Sequence, residues 1–202
     1  MAENNGLWFW QRYAGVYDLV MKRDRKAYEN LGSLIRSVIS FENEVLELAA
    51  GTGLIAEHVA EYCRKYIFTD YSENMLMKAK RKSWPQTVSF EQADVTALRY
   101  ENKSFDAVII SNALHIIPDP KLALDNIRRV LKKDGKLIAP TFVRYGKYKE
   151  SLLEKPMQWL GFRSWSTWSP TEYIKFLEEN GWQIIESKVI HASFDIAFVV
   201  AQ

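Results

Sequence analysis

The stretch Val45-Leu46-Glu47-Leu48-Ala49-Ala50-Gly51-Thr52-Gly53, continuing as Leu54-Ile55-Ala56-Glu57-His58-Val59-Ala60, decides how the chain is read. Val45 to Leu48 is an apolar run of the kind a buried parallel strand shows, and the two glycines end it in a tight turn. Leu54, Val59 and Ala60 then sit among good helix formers, so the turn is expected to feed a helix N-terminus. Strand, glycine turn and helix form one half of a nucleotide-binding βαβ unit. Glycine at such a turn lets backbone approach a ligand that a side chain would block. A nucleotide-like cofactor is therefore expected here, and the rest of the chain must say which.

The 202 residues suit one α/β domain, large enough to bury a full core. Hydrophobic residues at 48% and charged residues at 26% are ordinary for a globular protein. A formal charge of +2 announces neither nucleic acid nor a membrane surface as partner. The basic clusters at Lys78 to Lys82 and at Arg128-Arg129 with Lys132-Lys133 fall on helix-patterned stretches and read as solvated faces. Cys63 stands alone, which excludes an internal disulfide and a cysteine-based metal cluster. Met1-Ala2-Glu3-Asn4-Asn5 lacks the pattern of a signal peptide, and no apolar run approaches the roughly 18 residues of a membrane span. The expectation is a cytoplasmic protein with no integral membrane segment.

Ahead of the first strand, Trp8, Phe9, Trp10, Tyr13 and Tyr17 predict one or two amphipathic helices, and Arg25 to Ile39 predicts another. This segment (1–43) is expected to pack on the domain and to form a helical lid. From Val45 onward strands and helices alternate. Strands are expected at Tyr66–Thr69, Val88–Glu91, Phe105–Ile110 and Lys136–Thr141, with helices after Ser72, as N-cap, and over Lys121–Leu131. Repeated βα units argue a doubly wound, mostly parallel sheet. Ser169-Pro170-Thr171-Glu172 reads as a capping box, and Trp182–Val189 with Phe194–Val200 as an antiparallel strand pair. Residues 142–168, rich in tryptophan, read as an aromatic insertion over the active-site face of a single domain.

Ligands of open α/β sheets bind beyond the carboxyl ends of the strands, where the winding reverses. Four features converge there. Gly51 and Gly53 end the first strand. Asp70 ends the second, where a carboxylate can accept from both ribose hydroxyls. Asp94 follows the third, suited to an exocyclic amine on adenine. Ser111-Asn112-Ala113-Leu114-His115 follows the fourth and would floor a reaction site. Singly each has a plainer reading: Asp70 can cap the turn before Ser72, and Asp94 can open a loop. His115, with an ordinary pKa near neutrality, is the candidate general base; its plainer reading is a structural histidine at a strand–helix junction. His58 and His191 read as structural or exposed.

Val45 to Ala139 resembles the core of the class I S-adenosylmethionine-dependent methyltransferases, in particular the ubiquinone/menaquinone-biosynthesis methyltransferase-like branch. The resemblance is carried by Glu47-Leu48-Ala49-Ala50-Gly51-Thr52-Gly53, Thr69-Asp70-Tyr71-Ser72-Glu73-Asn74-Met75-Leu76 and Gln92-Ala93-Asp94-Val95. Phe105 to Ile109, Leu114-His115 and Arg129 to Lys136 complete it. About half the chain is covered well, and the order and spacing of the set are more specific than any piece. The resemblance implies a seven-stranded Rossmann-like sheet and S-adenosyl-L-methionine as methyl donor, with S-adenosyl-L-homocysteine as product. Glu47, Ala49, Gly51 and Gly53 would then surround the methionine end of the cofactor, and Asp70 would hold the ribose. Tyr71 and Met75 would line adenine, Asp94 and Val95 would read its edge, and Ser111 would contact the cofactor from the fourth strand. Tyr17, in a Tyr17-Asp18 pair similar to one in that branch, would join them. Ala49 departs from the usual glycine, and a slightly tighter turn with binding intact is expected.

The implied reaction is in-line methyl transfer to a small, apolar or aromatic molecule, with Tyr13, Tyr17 and the Trp159–Trp168 stretch as candidate acceptor walls. An NAD(P)-dependent oxidoreductase is the main rival, because Gly51-x-Gly53-x-x-Ala56 also fits a dinucleotide fingerprint and Tyr145-x-x-x-Lys149 mimics a catalytic pair. The long helical segment before the glycine turn and Gly146 inside the supposed catalytic helix argue against it. A methyltransferase acting on nucleic acid or protein is disfavoured by the lack of a basic stripe and of an Asn/Asp-Pro-Pro-Tyr motif. A module that binds the cofactor without chemistry is a further alternative.

Overall fold

In the computed structural model, which describes residues 22–144 and 166–202, the opening apolar run forms β1 (Glu44–Leu48), buried from Val45 on. Its side chains alternate between two apolar clusters: Val45 lies in one, Leu46 and Leu48 in the other. Both faces of β1 are thus covered, which is why the strand, Glu47 apart, is apolar from Val45 on rather than alternating. β2 (Lys65–Asp70), β3 (Val88–Gln92), β4 (Phe105–Ile110) and β5 (Leu131–Ile138) join it in the order β3-β2-β1-β4-β5, all parallel. The winding reverses where β1 lies between β2 and β4, which creates the crevice that open α/β sheets use for ligands.

Helices cover the two faces. α1 (Arg25–Arg36) buries Ala27, Tyr28, Leu31 and Ile35 with Val45, Tyr66 and Phe68 of the sheet. α2 (Ala56–Val59), extended by a tight turn over Ala60–Tyr62, and α3 (Glu73–Ala79) add Ala56, Val59, Leu76 and Ala79 to that side. On the other side lie α4 (Pro120–Val130), through Ala123, Leu124, Ile127 and Val130, and α5 (Pro170–Glu179), through Tyr173 and Leu177. The caps follow the sequence signals. The Ser72 hydroxyl accepts from Met75 N, and Ser169 and Glu172 form the reciprocal capping box behind Pro170. The helix expected over Arg25–Ile39 stops at Arg36, with Ser37 as its C-cap.

The sheet ends antiparallel, as expected. β8 (Ile196–Ala201) is wholly buried between β5 on one side and β7 (Ile184–Ile190) on the other. The fifth strand departs from its expected bounds in two ways. Leu131 pairs with Phe105 and Lys136 with Ala107, so the residues between, Asp134-Gly135 included, bulge from the ladder rather than preceding it. The strand is then interrupted at Pro140, which has no N–H to give, and resumes as β6 (Thr141–Phe142) along the same edge of β8. The expected seven strands therefore count as eight segments.

About half of the expected lid (1–43) and most of the expected aromatic insertion (142–168) fall outside the described residues. Of the lid, α1 is seen packing on the sheet; of the insertion, Trp168 stacks on Phe176 at 4.9 Å and lies 5.2 Å from Tyr173, a packing role. Among the described residues no helix is long and apolar enough to cross a membrane.

Candidate cofactor and acceptor site

The turn after β1 is built from alternate residues in the left-handed region: Ala49 at φ 50°, Gly51 at φ 59° and Gly53 at φ 89°. Glycine adopts this without strain, whereas alanine pays roughly 1–2 kcal/mol for it. The departure at Ala49 is therefore a strained backbone position rather than a merely tighter turn. The two glycines serve different ends. A Cβ built on Gly51 meets nothing within 4 Å, so this face of the backbone is open to a ligand. A Cβ on Gly53 would lie 2.7 Å from the Trp84 ring and 3.1 Å from Phe68. Gly53 is thus required by packing beneath the turn. Trp84, which donates its indole N–H to Ala79 O at 2.8 Å and packs edge-on against Phe68, was not foreseen.

Asp70, at the end of β2, closes this turn. Its Oδ2 accepts from Gly51 N and its Oδ1 from Ser72 N, each at 2.7 Å. Burial pushes its carboxyl up to about 6, held from rising further by the backbone N–H groups of Ser72, Gly51 and Tyr71. A carboxylate offers about four acceptor positions, so two backbone bonds leave capacity for hydroxyl donors. Asp70 thus fixes the loop after β1 and keeps acceptor capacity beyond it.

Glu47 is 1% exposed, and its Oε2 accepts from the Tyr66 hydroxyl at 2.8 Å. Desolvation raises its pKa to about 8, opposed by the Tyr66 bond and reinforced by Asp70. The sequence pattern marks Tyr66 only as part of a strand. The available signal was a hydroxyl-bearing residue inside an otherwise apolar central strand, which needs a buried partner.

Asp94 uses Oδ1 twice, accepting from Thr96 N at 2.8 Å and from Thr96 Oγ1 at 2.7 Å, which is the loop-opening role of its plainer reading. Val95 is half-buried against the core, Tyr71 is exposed, and Met75 is buried at the start of α3. Tyr17, Tyr13, Trp159, Tyr145 and Lys149 lie outside the described residues.

The ground past β4 is different. The Ser111 hydroxyl and the Asn112 Oδ1 are buried without a hydrogen-bond partner among the described residues. Asn112 has φ 51°, its backbone N donates to Pro140 O, and its Nδ2 donates to the Tyr28 hydroxyl of α1 at 3.2 Å. Buried polar atoms left unmatched are rare and call for an explanation such as a ligand. His115 lies in a short 3-10 turn (Leu114–Ile116), 6% exposed, with Nδ1 3.1 Å from Thr141 Oγ1 and its ring edge-on to Phe142. Burial lowers its pKa to about 4, so its imidazole is neutral at physiological pH. His191 is exposed beside Asp195, and the backbone carbonyl of His58 accepts from Arg36; both fit the structural or exposed reading.

Residues 46–139 match the family model described as a methyltransferase domain. The demethylmenaquinone methyltransferase of Renibacterium salmoninarum is 34% identical over 137 residues, covering 66% of this chain and 57% of that protein. The ubiquinone/menaquinone biosynthesis C-methyltransferase UbiE of Rickettsia bellii is 32% identical over 130 residues, covering 59% and 51% respectively. The chain thus spans a little over half the length of these curated relatives. Among solved structures, the DhpI–SAH complex superposes with a TM-score of 0.74 at 21% identity, over 98% of this chain and 95% of that one.

Proposed function

We propose that this chain is a class I S-adenosylmethionine-dependent methyltransferase of the quinone-biosynthesis-like branch that methylates a small apolar or aromatic acceptor of the quinol type. One observation carries the reading. The open backbone at Gly51 is bracketed at the switch point by a buried carboxylate with spare acceptor capacity, Asp70, and lies just beyond a second buried carboxyl, Glu47. Such a set suits a ligand with vicinal hydroxyls and a cationic amino-acid tail. The acceptor class is inferred from the curated relatives, whose names specify menaquinone and ubiquinone precursors.

S-adenosylmethionine supplies, when bound, a methyl carbon already activated by its sulfonium. The chain's residues then need to hold, align and dry the reactants, and alignment alone is worth several kcal/mol of barrier. Asp70 would hold ribose hydroxyls while keeping the Gly51 turn closed. Tyr71 and Met75 would flank adenine, Asp94 and Val95 its edge, and Ser111 would spend its unmatched hydroxyl on the cofactor. Asn112 Oδ1 would accept from a hydroxyl of the acceptor. The neutral His115 imidazole is free of its own proton charge and would take the proton that an acceptor carbon or hydroxyl sheds. Its lowered pKa makes it a weak base, so positioning carries most of the acceleration.

Calorimetric titration with S-adenosylhomocysteine, with NADH and NADPH in parallel, tests the cofactor class. Saturable binding of the first alone supports the reading, and binding of a nicotinamide nucleotide alone overturns it. Transfer of label from S-adenosylmethionine to a short-chain demethylmenaquinol then tests the acceptor, and absence of transfer would remove the quinol class.

A further inference from the structure

Glu47 presents a problem of charge that the protein does not solve by itself. It is the fourth residue of β1, almost wholly buried, and among the described residues its carboxyl's one hydrogen-bond partner is the neutral Tyr66 hydroxyl of β2 at 2.8 Å. Tyr66 is fully buried as well. Among the described residues no lysine, arginine or histidine forms an ion pair with Glu47. The titratable groups that face this pair are Asp70, a like charge at the end of β2, and the thiol of Cys63, which faces Tyr66. A buried carboxylate with a like-charged neighbour and no counter-charge is unfavourable in the ionised form, so the group keeps its proton.

We infer that binding of an S-adenosyl cofactor expels a proton from Glu47, and that Tyr66 is the positioning residue that sets how readily this proton leaves. The inference rests on the cofactor reading above, with Glu47 beside the methionine end. The α-ammonium of that ligand is the counter-charge the site lacks. Once it arrives, the O–H bond of the Glu47 carboxyl breaks, its electron pair stays on the carboxylate, and the proton passes to buffer. The Tyr66 hydroxyl donates to the carboxylate and so favours the ionised form; without it the proton is held more tightly. Tyr66 itself does not titrate, because burial and the adjacent carboxylate push its hydroxyl well above the ordinary range. In the free protein the Glu47 carboxyl is raised to about 8, chiefly by desolvation, which puts the exchange in an accessible pH range.

The test is titration of the full chain with S-adenosylhomocysteine in buffers of differing ionisation enthalpy, which counts protons released per ligand bound. Wild type, Glu47→Gln and Tyr66→Phe are compared at pH 7 and pH 8. Titration of the ligand's own amine is common to all three proteins and cancels in the differences. Relative to Glu47→Gln, wild type should release nearly one proton at pH 7 and about half of one at pH 8. Tyr66→Phe should still release nearly one at pH 8 and bind several-fold more weakly there. Binding by all three proteins with equal proton counts overturns the linkage. A Tyr66→Phe profile identical to wild type keeps Glu47 but overturns the part assigned to Tyr66. Failure of wild type to bind the ligand at all overturns the cofactor reading, and this inference with it.

Discussion

The two sides of the switch point treat the polar groups nearest to it in opposite ways. On the β1–β2 side, carboxylates are tied to the chain itself: Asp70 to Gly51 N and Ser72 N, Glu47 to Tyr66. On the β4–β6 side, Ser111 Oγ and Asn112 Oδ1 are buried and unmatched among the described residues, while burial keeps His115 neutral beside Thr141. On the proposed reading, the first side is preorganised around the cofactor, the one ligand that does not vary. The second has polar capacity left over, as expected of a surface that completes its hydrogen bonds with a variable one. The contrast also appears in protons: one side holds carboxyls that keep theirs too long, and the other a histidine that gives its own up too early.

That opposition predicts stability against pH, and the largest effect belongs to Glu47. Its folded pKa of about 8 exceeds the ordinary 4.5, so the native state binds the extra proton between these values. Its contribution is full below about 4.5 and is lost as pH rises to about 8, a loss on the order of 4 kcal/mol. Asp70, raised from 3.8 to about 6, adds a fall of the same sign over the lower part of that range. Urea midpoints from pH 5 to 8 should therefore decline in wild type and flatten in Glu47→Gln; an equal decline in the variant would sever the effect from Glu47. His115 works in the other direction. Its folded pKa of about 4 lies below 6.5, so its contribution is full above about 6.5 and is lost as pH falls to about 4, roughly 3 kcal/mol. His115→Gln should flatten this acid limb and leave S-adenosylhomocysteine affinity unchanged. A large change in that affinity would place His115 on the cofactor side and erase the division.

Asp70→Ala comes next in size. It removes a charged acceptor from two short backbone bonds and from the predicted ribose contact. Charge-assisted bonds of this kind are worth about 1.5–3 kcal/mol each, so affinity for S-adenosylhomocysteine should fall by about 100-fold. Calorimetry is the measurement, and unchanged affinity would leave Asp70 a turn-closing residue only.

How much of this was legible follows from range. β1, β2 and β4 are mainly apolar runs, the caps at Ser72 and Ser169 are signals within four residues, and the terminal hairpin has too short a link for a crossover, so each is decided locally. The candidate site positions Gly51, Asp70, Ser111 and His115 are reachable because strand ends carry them. Tyr66 and Trp84 are not, because their roles exist only across the sheet or across a loop: Tyr66 matters through a carboxyl 19 residues away, and Trp84 through the missing Cβ of Gly53. The break at Pro140 likewise depends on which strand lies alongside; proline in isolation says only that one N–H is absent.

The smallest effect tests whether the preorganised side is as relaxed as its hydrogen bonds suggest. Ala49 holds φ 50° immediately after β1, in the same left-handed series as Gly51 and Gly53, and its Cβ makes that conformation unfavourable by roughly 1–2 kcal/mol. Ala49→Gly removes the strain but gives the unfolded chain more freedom, which offsets about 0.4–1 kcal/mol of the gain. The net expectation is stabilisation of about 0.5 kcal/mol by urea denaturation, with S-adenosylhomocysteine affinity unaltered because the backbone path is the same. A gain in affinity instead would mean that the strained alanine holds the turn away from its binding geometry, so that the cofactor side, like the acceptor side, is completed only by its ligand.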